Sequence, residues 1–468
     1  MKLSNLGFTQ IELKEPMLQF KNNISSIYPI DIVKLKPYQS PQQVSLKIGT
    51  HDNMEQLDLV GKSLNEILNT NFLEGGTGIY PFSHPNYNFS NVFDTRYSII
   101  NNLDTNNNLQ FDKLNILDDK LLRNYISESG KANVIILTIP DNFNIRSYNL
   151  AKFYAKLNNK RVQFIKQSTL FNWLQREGTG YRSPFLLNIA VQLLAKAGGT
   201  PWILDISSGA GYGCTITGPL ALNSVVVGIS FSSLKDIVFG VSMFINLKNL
   251  DQEFNISSFT MPEDFRIKGY YLPKKEMANV VKKAEKWAKS YMKKPSHLFI
   301  YKTSPVHEEE ILGLSEISTN WAIIHLKTSG TLLRLFDECD INYMVKRGIG
   351  LISKRYKINR CQTNLTVGKI FMTTTGRVPR PNKGEYRTLG TPRPIELEIF
   401  SNYEVDLQLI ANQVLALTKI DWECCLLEKR VPAIIKYSRR MASFARTLFR
   451  NNLLDYIEGL PFDARDLI

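Results

Sequence analysis

Four polar side chains between residues 148 and 196 have types and spacings that suit the binding of a phosphate group. Tyr148 and Lys152 lie four residues apart in an apolar-periodic segment, which on a helix places both side chains on one face. Gln163 follows in a β-prone run, and Lys196 ends a helical pattern just before two glycines. Two ammonium groups, a hydroxyl and an amide NH₂ supply the charge and the donors that a terminal phosphate requires. On spacing alone, a half-buried tyrosine and a solvated lysine on an amphipathic helix remain the commoner explanation.

The elements that must position these side chains alternate between strand and helix. Residues 131–140 form a continuous apolar run that ends at a proline, which predicts a fully buried parallel strand. The helix of Tyr148 comes next and should break at Asn158 and Asn159. A strand at 161–165 and a helix at 184–197 complete the pattern. We therefore expect a doubly wound α/β unit, whose ligands lie beyond the carboxyl ends of its strands.

The same four residues match a known family motif. Tyr148-x-x-x-Lys152, then Gln163, then Lys196 within the run Leu-Ala-Lys-Ala-Gly-Gly-Thr-Pro-Trp at 194–202, resemble the signature of the MID domain of Argonaute proteins. The resemblance implies that the four side chains bind the 5′ phosphate of a guide strand. It favours a 5′-end pocket over the solvated-helix explanation.

The rest of the chain resembles the PIWI domain, which has an RNase H fold. The PIWI landmarks are the order of elements from residue 225 onward and the segments 387–398, 417–422 and 431–440. We predict an α/β protein with a Rossmann-like MID domain at 126–205 and an RNase H-like PIWI domain at 206–468, after an N-terminal scaffold segment at 1–125. This length leaves no room for separate N and PAZ domains, so it fits the short prokaryotic Argonautes.

The positions of the PIWI catalytic residues are degenerate in this sequence. Active PIWI domains use an Asp-Glu-Asp-X tetrad for two-metal hydrolysis, in which clustered carboxylates hold ions about 3.5–4 Å apart. Ser230 stands at the place of the first acid, and Arg439 stands at the fourth place, on the terminal helix. The third acid should follow the strand at 321–326, where Thr328 and Ser329 are found. Because hydroxyls cannot bridge metals as carboxylates do and a guanidinium repels them, we predict that this chain does not cleave nucleic acid.

Two further features of the C-terminal region suit a nucleic-acid partner. On the terminal helix, cations lie off the apolar stripe without an intervening acid, and we expect backbone contact from Lys436, Arg439, Arg440 and Arg446. The chain ends at Ile468. By the resemblance, its C-terminal carboxylate would turn back toward the MID pocket and help to hold a Mg²⁺ ion between guide phosphates; a frayed terminus is the alternative.

Composition excludes several classes of protein. Lys and Arg exceed Asp and Glu by 57 − 43 = 14 in 468 residues, which indicates a polyanionic partner. No apolar run reaches the ~18–20 residues that span a bilayer, and the N-terminus lacks a secretory pattern, so we expect a cytoplasmic protein without membrane contact. The five cysteines include no C-x-x-C pair, and the five histidines are scattered, which argues against a zinc site.

The resemblance implies a catalytically inactive short Argonaute. Such a chain would bind a 5′-phosphorylated guide, which we expect to be RNA, and pair it with a single-stranded DNA target. A partner chain with an APAZ region would bear an effector, often a TIR or sirtuin-like NAD-consuming enzyme, that stops phage or plasmid spread. Two alternatives stay open: a guide-independent nucleic-acid-binding protein, and an RNase H-like nuclease with rearranged acidic ligands. The candidate acids for the second are Asp205, Asp236, Asp337 and Asp340.

Overall fold

A computed structural model describes most of the chain. The described residues are 7–51, 89–100, 112–174, 182–205, 224–247, 250–260, 264–265, 269–292, 295–328, 333–335, 345–380, 384–386, 392–425, 427, 429–457 and 460–468. The chain divides into two compact units. The small-sheet unit comprises Gln19–Ile203, Trp422–Leu426 and Thr447–Ile468, and the large-sheet unit comprises Met1–Leu18, Leu204–Asp421 and Leu427–Arg446.

Strands and helices alternate along most of the chain. The strands are β1 (Phe8–Glu12), β2 (Leu18–Gln19), β3 (Ser25–Ser26), β4 (Gln43–His51), β5 (Arg96–Ile99), β6 (Asp112–Leu114), β7 (Val134–Ile139), β8 (Arg161–Lys166), β9 (Ile203–Leu204), β10 (Ser224–Leu234), β11 (Ile237–Ile245), β12 (Gln252–Thr260), β13 (His297–Lys302), β14 (Asn320–Lys327), β15 (Ile349–Ser353), β16 (Tyr356–Arg360), β17 (Thr363–Met372), β18 (Val378–Arg380), β19 (Gly384–Tyr386) and β20 (Ile395–Ser401). The α-helices are α1 (Ile32–Leu35), α2 (Phe89–Phe93), α3 (Asp119–Ser127), α4 (Ile145–Leu157), α5 (Gln167–Leu174), α6 (Arg182–Lys196), α7 (Lys274–Ala288), α8 (Glu308–Ser315), α9 (Leu407–Leu417), α10 (Ala433–Arg450) and α11 (Ala464–Leu467). No helix among the described residues is long and apolar enough to cross a membrane.

The small-sheet unit is built on a parallel sheet with the order β5-β4-β7-β8, and β6 also pairs with β4. All six residues of β7 are buried, which confirms the strand predicted from the apolar run. Helices α3 and α4 cover one face of the sheet, where their apolar residues form a buried cluster with those of β7. Strand β4 lies at the centre of this sheet, so residues before 126 pair directly with the strands predicted for the MID domain.

Helix α4 begins and ends where its flanking asparagines can satisfy the backbone. The side chain of Asn144 accepts a hydrogen bond from the Ser147 amide at the N-terminus. At the other end Asn158 is the C-cap, and Asn159 adopts a left-handed φ of 54°, a conformation that asparagine tolerates better than most residues. The predicted break at this pair is confirmed, and β8 begins two residues later.

The large-sheet unit is built on a ten-stranded mixed sheet. Its order is β1-β15-β17-β20-β14-β13-β10-β11-β12, with β16 paired to β17. Strands β10, β11 and β12 form an antiparallel meander, whereas β13 and β14 run parallel to β10. Helices α7 and α8 pack on one face against a large apolar cluster. On the other face α10 approaches β10 so closely that a Cβ on Gly228 would lie 2.7 Å from the Ile434 carbonyl oxygen.

Candidate functional site

The four residues predicted to bind a 5′ phosphate all lie in the small-sheet unit. Tyr148 and Lys152 are one turn apart on α4, Gln163 is in β8, and Lys196 is the last residue of α6. Lys152 and Lys196 are only 5% and 1% exposed. Lysine is almost never buried to this extent without a partner, so these two residues are not the solvated charges that spacing alone would suggest.

The two buried lysines meet on one oxygen atom. Lys152 Nζ donates to the main-chain oxygen of Ile468 over 3.0 Å, and Lys196 Nζ donates to the same oxygen over 2.5 Å. Two ammonium groups that share an acceptor repel each other, and they are held together by the surrounding fold rather than by mutual attraction. The arrangement brings two ammonium groups, each with further N–H donors, to one buried place, which suits the binding of an anion.

Burial and repulsion both act on the charge of Lys196. Desolvation lowers the pKa of the Lys196 ammonium well below its ordinary value, and the nearby charge of Lys152 lowers the pKa further. A bound anion would have the opposite effect because it stabilises the protonated form. A ligand that brings negative charge beside Lys196 would therefore raise the pKa of its ammonium group.

Tyr148 borders this centre through its ring. The ring centroid lies 4.5 Å from Lys152 Nζ, within the range of a cation–π contact. The ring also contacts that of Phe164, at a centroid distance of 4.4 Å and an interplanar angle of 31°. Tyr148 is half-buried, so its ring forms one wall beside the lysines.

Gln163 is the fourth predicted residue, and it contains an unsatisfied atom. Its Nε2 donates to the Phe164 carbonyl oxygen over 3.0 Å, whereas its buried Oε1 accepts no hydrogen bond within the described part of the chain. An unpaired buried amide oxygen costs about 1–3 kcal/mol, which a donor from a ligand or a water molecule would recover.

Three charged residues that the sequence analysis did not select hold the chain segment that ends at Ile468. Asp466, in α11, accepts hydrogen bonds from Lys156 Nζ and from Arg161 Nε, each over 2.9 Å. Arg161 also donates through its NH1 group to the carbonyl oxygen of Lys196 over 2.9 Å. Lys156 could have been found from sequence because it lies one helical turn beyond Lys152, whereas Asp466 is about 300 residues distant in sequence.

In the large-sheet unit, Ser230 lies in β10 and faces a helix. Its hydroxyl oxygen is 2.8 Å from that of Ser438 on α10, and both side chains are buried. Arg439, the residue predicted to stand at this place, is exposed. One residue on a helix corresponds to a rotation of about 100°, so Ser438 faces the strand and Arg439 does not.

The order of strands in the sheet decides which residue of the neighbouring strand lies beside Ser230. Strand β13 lies next to β10, with Ile229 paired to Lys302, so the following residues, Ser230 and Thr303, are neighbours at this edge. Thr328 follows β14, which is one strand further away, roughly 10 Å from β10 at the usual strand spacing. The structure thus brings Ser230 together with Thr303 and Ser438 rather than with Thr328. Ser329 lies outside the described residues.

These positions match solved proteins of one kind in overall fold. The chain aligns with Clostridium butyricum Argonaute bound to a guide DNA and a 19-mer target DNA at a TM-score of 0.60 and 16% identity, over 95% of this chain and 54% of that one. It aligns with Drosophila Piwi at a TM-score of 0.59 and 14% identity, over 98% and 56% of the two chains. The fold is that of the MID and PIWI domains of Argonaute proteins. The predicted α/β class is thereby confirmed.

A third Argonaute, from Marinitoga piezophila in complex with a 5′ OH guide RNA, aligns at a TM-score of 0.57 and 13% identity, over 92% of this chain and 57% of that one. The chain therefore spans a little over half the length of the solved structures that it matches. No family model matches the sequence, and no curated protein is detectably similar to it. At these identities the comparison establishes the Argonaute fold alone.

The cations of α10 differ in their surroundings. Lys436 forms an ion pair with the buried carboxylate of Asp421, at 2.5 Å. Arg439 is exposed, and Arg440 and Arg446 are half-buried. The charge of Lys436 is thus already paired with that of Asp421 inside the protein. The contact of these four residues with nucleic acid stays a prediction.

The predicted magnesium ligand lies among cations in this Argonaute-like fold. The main-chain oxygen of Ile468 accepts hydrogen bonds from two ammonium groups, and the nearby carboxylate of Asp466 is bonded to Lys156 and Arg161. Mg²⁺ requires about six oxygen ligands, and cations at this distance would repel it. These residues do not fit a magnesium site by themselves, and the Mg²⁺ assignment stays a prediction. The part of the chain that the structure describes contains no group of three or more His, Cys, Asp or Glu side chains that could hold a metal ion.

Proposed function

We propose that this chain is a guide-dependent nucleic-acid sensor that binds the 5′-phosphorylated end of a guide strand in the pocket of Lys152 and Lys196. The observation that supports this most is the meeting of the two buried ammonium groups on one oxygen atom. Two buried ammonium groups at one place are costly unless anions neutralise both, and one carboxylate at Ile468 would supply only part of that charge. A terminal phosphate would supply the compensating charge and several acceptors.

The guide is expected to be RNA and the target single-stranded DNA, with sequence read by base pairing between them. The solved neighbours hold a guide DNA with a target DNA in one case and a guide RNA in another, so the fold is compatible with either kind of guide. One neighbour holds a guide with a 5′ hydroxyl. A preference for a 5′ phosphate over a 5′ hydroxyl is therefore the property that tests the proposal.

The chain is proposed not to cleave its target. Ser230 and Ser438 supply hydroxyl groups, and Thr303 follows the neighbouring strand, at the edge where a two-metal site would need carboxylates. Enzymatic activity would then belong to a partner chain with an APAZ region and a TIR or sirtuin-like NAD-consuming effector, switched on by target recognition in defence against phage and plasmids. The net charge of +14 suits the nucleic-acid role and does not identify the effector.

The pocket is tested by comparing oligonucleotides that differ only at the 5′ end. Fluorescence anisotropy with 5′-phosphate and 5′-hydroxyl versions of one RNA and one DNA should give a lower Kd for the phosphate. Lys152→Met with Lys196→Met should abolish that preference, because methionine keeps the volume and removes both charges. The exposed pair Lys120→Met with Lys131→Met is the matched control for net charge. Equal Kd values for both 5′ ends in the native chain would favour the guide-independent binding protein.

The nuclease alternative predicts a different result in a separate assay. The chain, loaded with a guide, should leave a labelled complementary strand intact in Mg²⁺ or Mn²⁺. Cleavage that requires metal and guide would instead support an RNase H-like nuclease with rearranged ligands. Ser230→Asp combined with Ser438→Asp gives an independent check. Two facing buried carboxylates should lower Tm, and Mn²⁺ should raise the Tm of this variant and not that of the native chain.

A further inference from the structure

We propose that Asp466 and Arg161 are positioning residues that set the geometry of the two-lysine pocket. This inference rests on the proposed function, because it concerns how the same pocket distinguishes a 5′ phosphate from a 5′ hydroxyl. Neither residue was selected by the sequence motif, and neither contributes one of the two ammonium groups. Both belong to the small-sheet unit.

The Ile468 oxygen is presented by the short helix α11 and the residue that follows it. Helix α11 has only four residues, too few to be stable without external contacts. A reciprocal capping box between Asp463 and Asp466 fixes its start, and the Ile468 amide donates to the Ala464 carbonyl oxygen over 3.0 Å. The position of the Ile468 oxygen therefore follows the position of α11.

Helix α11 is in turn fixed by cations on neighbouring elements. The carboxylate of Asp466, with 3% of its side chain exposed, is paired with Lys156 of α4 and Arg161 of β8. A buried carboxylate with two cationic partners tolerates little displacement, because each partner would otherwise be left desolvated and unpaired. These pairs tie α11 to the helix of Lys152 and to the strand that contains Gln163.

Arg161 links both sides of the pocket. Its Nε binds Asp466, and its NH1 binds the Lys196 carbonyl oxygen at the end of α6. One rigid guanidinium thus sets the distance between the segment that presents the Ile468 oxygen and the backbone of Lys196. A lysine at position 161 could not reproduce this, since an ammonium lacks the planar fork that binds two acceptors in fixed directions.

The consequence is a pocket whose donors are oriented before the guide arrives. An ammonium group has three N–H donors. The hydrogen bond from Lys196 to Ile468 uses one of them and fixes the direction of the others. Preorganised donors bind an anion more tightly because less side-chain freedom is lost on binding. Loosening α11 should therefore reduce recognition of the phosphate and leave contacts with the rest of the guide unchanged.

The test uses two variants that break the link from opposite sides. Asp466→Asn keeps an acceptor for the capping box and removes the charge, whereas Arg161→Lys keeps the charge and removes the fork. In each we expect the ratio of the 5′-hydroxyl Kd to the 5′-phosphate Kd to fall roughly tenfold, the effect of one lost charge-assisted hydrogen bond. The 5′-hydroxyl Kd itself should not change. Asp466→Glu should restore the ratio, because glutamate keeps the charge and is favoured at this position of a capping box.

Two controls separate positioning from general damage. Asp118→Asn changes the charge equally at an exposed helix cap of the same unit and should leave the ratio unchanged. Thermal unfolding of each variant shows whether the protein is folded at the assay temperature. If Asp466→Asn were unfolded, Arg161→Lys would still decide the question.

Three outcomes would overturn the inference. A folded Asp466→Asn variant with an unchanged ratio would mean that α11 does not position the lysines. Tighter binding of the 5′ phosphate by that variant would mean that the Ile468 segment competes with the guide. If the native chain had no preference for a 5′ phosphate, the proposed function would fail and this inference would fail with it. The first two outcomes leave the proposed function intact.

Discussion

Raising the pH should weaken the binding of a 5′-phosphorylated guide before it affects a 5′-hydroxyl guide. The cause is Lys196, whose pKa is lowered by burial first and by the charge of Lys152 second. As the pH rises through the lowered pKa, Lys196 in the free protein loses its proton, and binding of the phosphate must then take one up. The chain should therefore bind the phosphate best below the lowered pKa and lose affinity above it, well before an ordinary lysine would titrate at about 10.4.

The size of the loss of affinity follows from the single proton and the single charge-assisted hydrogen bond that Lys196 would contribute. One proton is involved, so log Kd should rise by no more than about one unit for each pH unit. The total loss should be about 10- to 100-fold, the equivalent of one charge-assisted hydrogen bond of about 1.5–3 kcal/mol. Fluorescence anisotropy at a series of pH values, with 5′-phosphate and 5′-hydroxyl DNA in parallel, measures the difference directly.

Two variants identify the residue that titrates. Lys196→Arg should keep the phosphate preference constant across the same pH range, because a guanidinium stays protonated up to about pH 12. Lys196→Met should have a small preference that does not depend on pH. As the pH rises, the free energy of unfolding should change in the opposite direction from the affinity for the phosphate. In the native chain the unfolded state binds more protons above the lowered pKa, so the free energy of unfolding should rise with pH relative to Lys196→Met. A phosphate preference in the native chain that is constant up to pH 10 would refute this reasoning.

Three further predictions concern other parts of the chain. Gly228→Ala should lower the free energy of unfolding by about 1–3 kcal/mol in urea, since the added Cβ would overlap Ile434; a value near zero would mean that α10 can move away from β10. Lys302→Met should cost about 3–5 kcal/mol by leaving the fully buried Glu310 unpaired, and adding Glu310→Gln should recover part of that loss; equal stability of the two variants would rule out the ion pair as the cause. Removal of Mg²⁺ with a chelator should leave the 5′-phosphate Kd unchanged at constant ionic strength, because ammonium groups neutralise the phosphate; a large increase in Kd would support the magnesium assignment.

Local patterns in the sequence predicted the elements that surround Lys152 and Lys196. The apolar run at 131–140 became β7, and the asparagines at 158 and 159 ended α4 as expected. Both signals depend on residues close together in the chain, namely hydrophobic runs and backbone preferences. The sequence analysis did not predict β11 or β12. Strand β11 is buried along almost its whole length, so it lacks a period-two pattern, and β12 is a polar edge strand.

The placement of functional side chains was less predictable where it depended on rotation or strand order. Ser438, and not its neighbour Arg439, faces Ser230, because one residue turns a helix by about 100°. The third acid was expected after the strand at 321–326, whereas the strand next to Ser230 is β13, which places Thr303 there. Helix rotation and strand order are set by packing between distant segments, which no local pattern records.

The sequence by itself determined the α/β class and the excess of positive charge, and it singled out Lys152 and Lys196 as candidates for binding a phosphate. Only the tertiary structure decided that Lys152 and Lys196 are buried and share one acceptor, and that Asp466 and Arg161 hold that acceptor in place. The physical reason is the range of the interactions. Backbone preference and hydrophobic periodicity act over a few residues, whereas the charge on a buried lysine depends on groups that the fold brings from about 270 to 320 residues away.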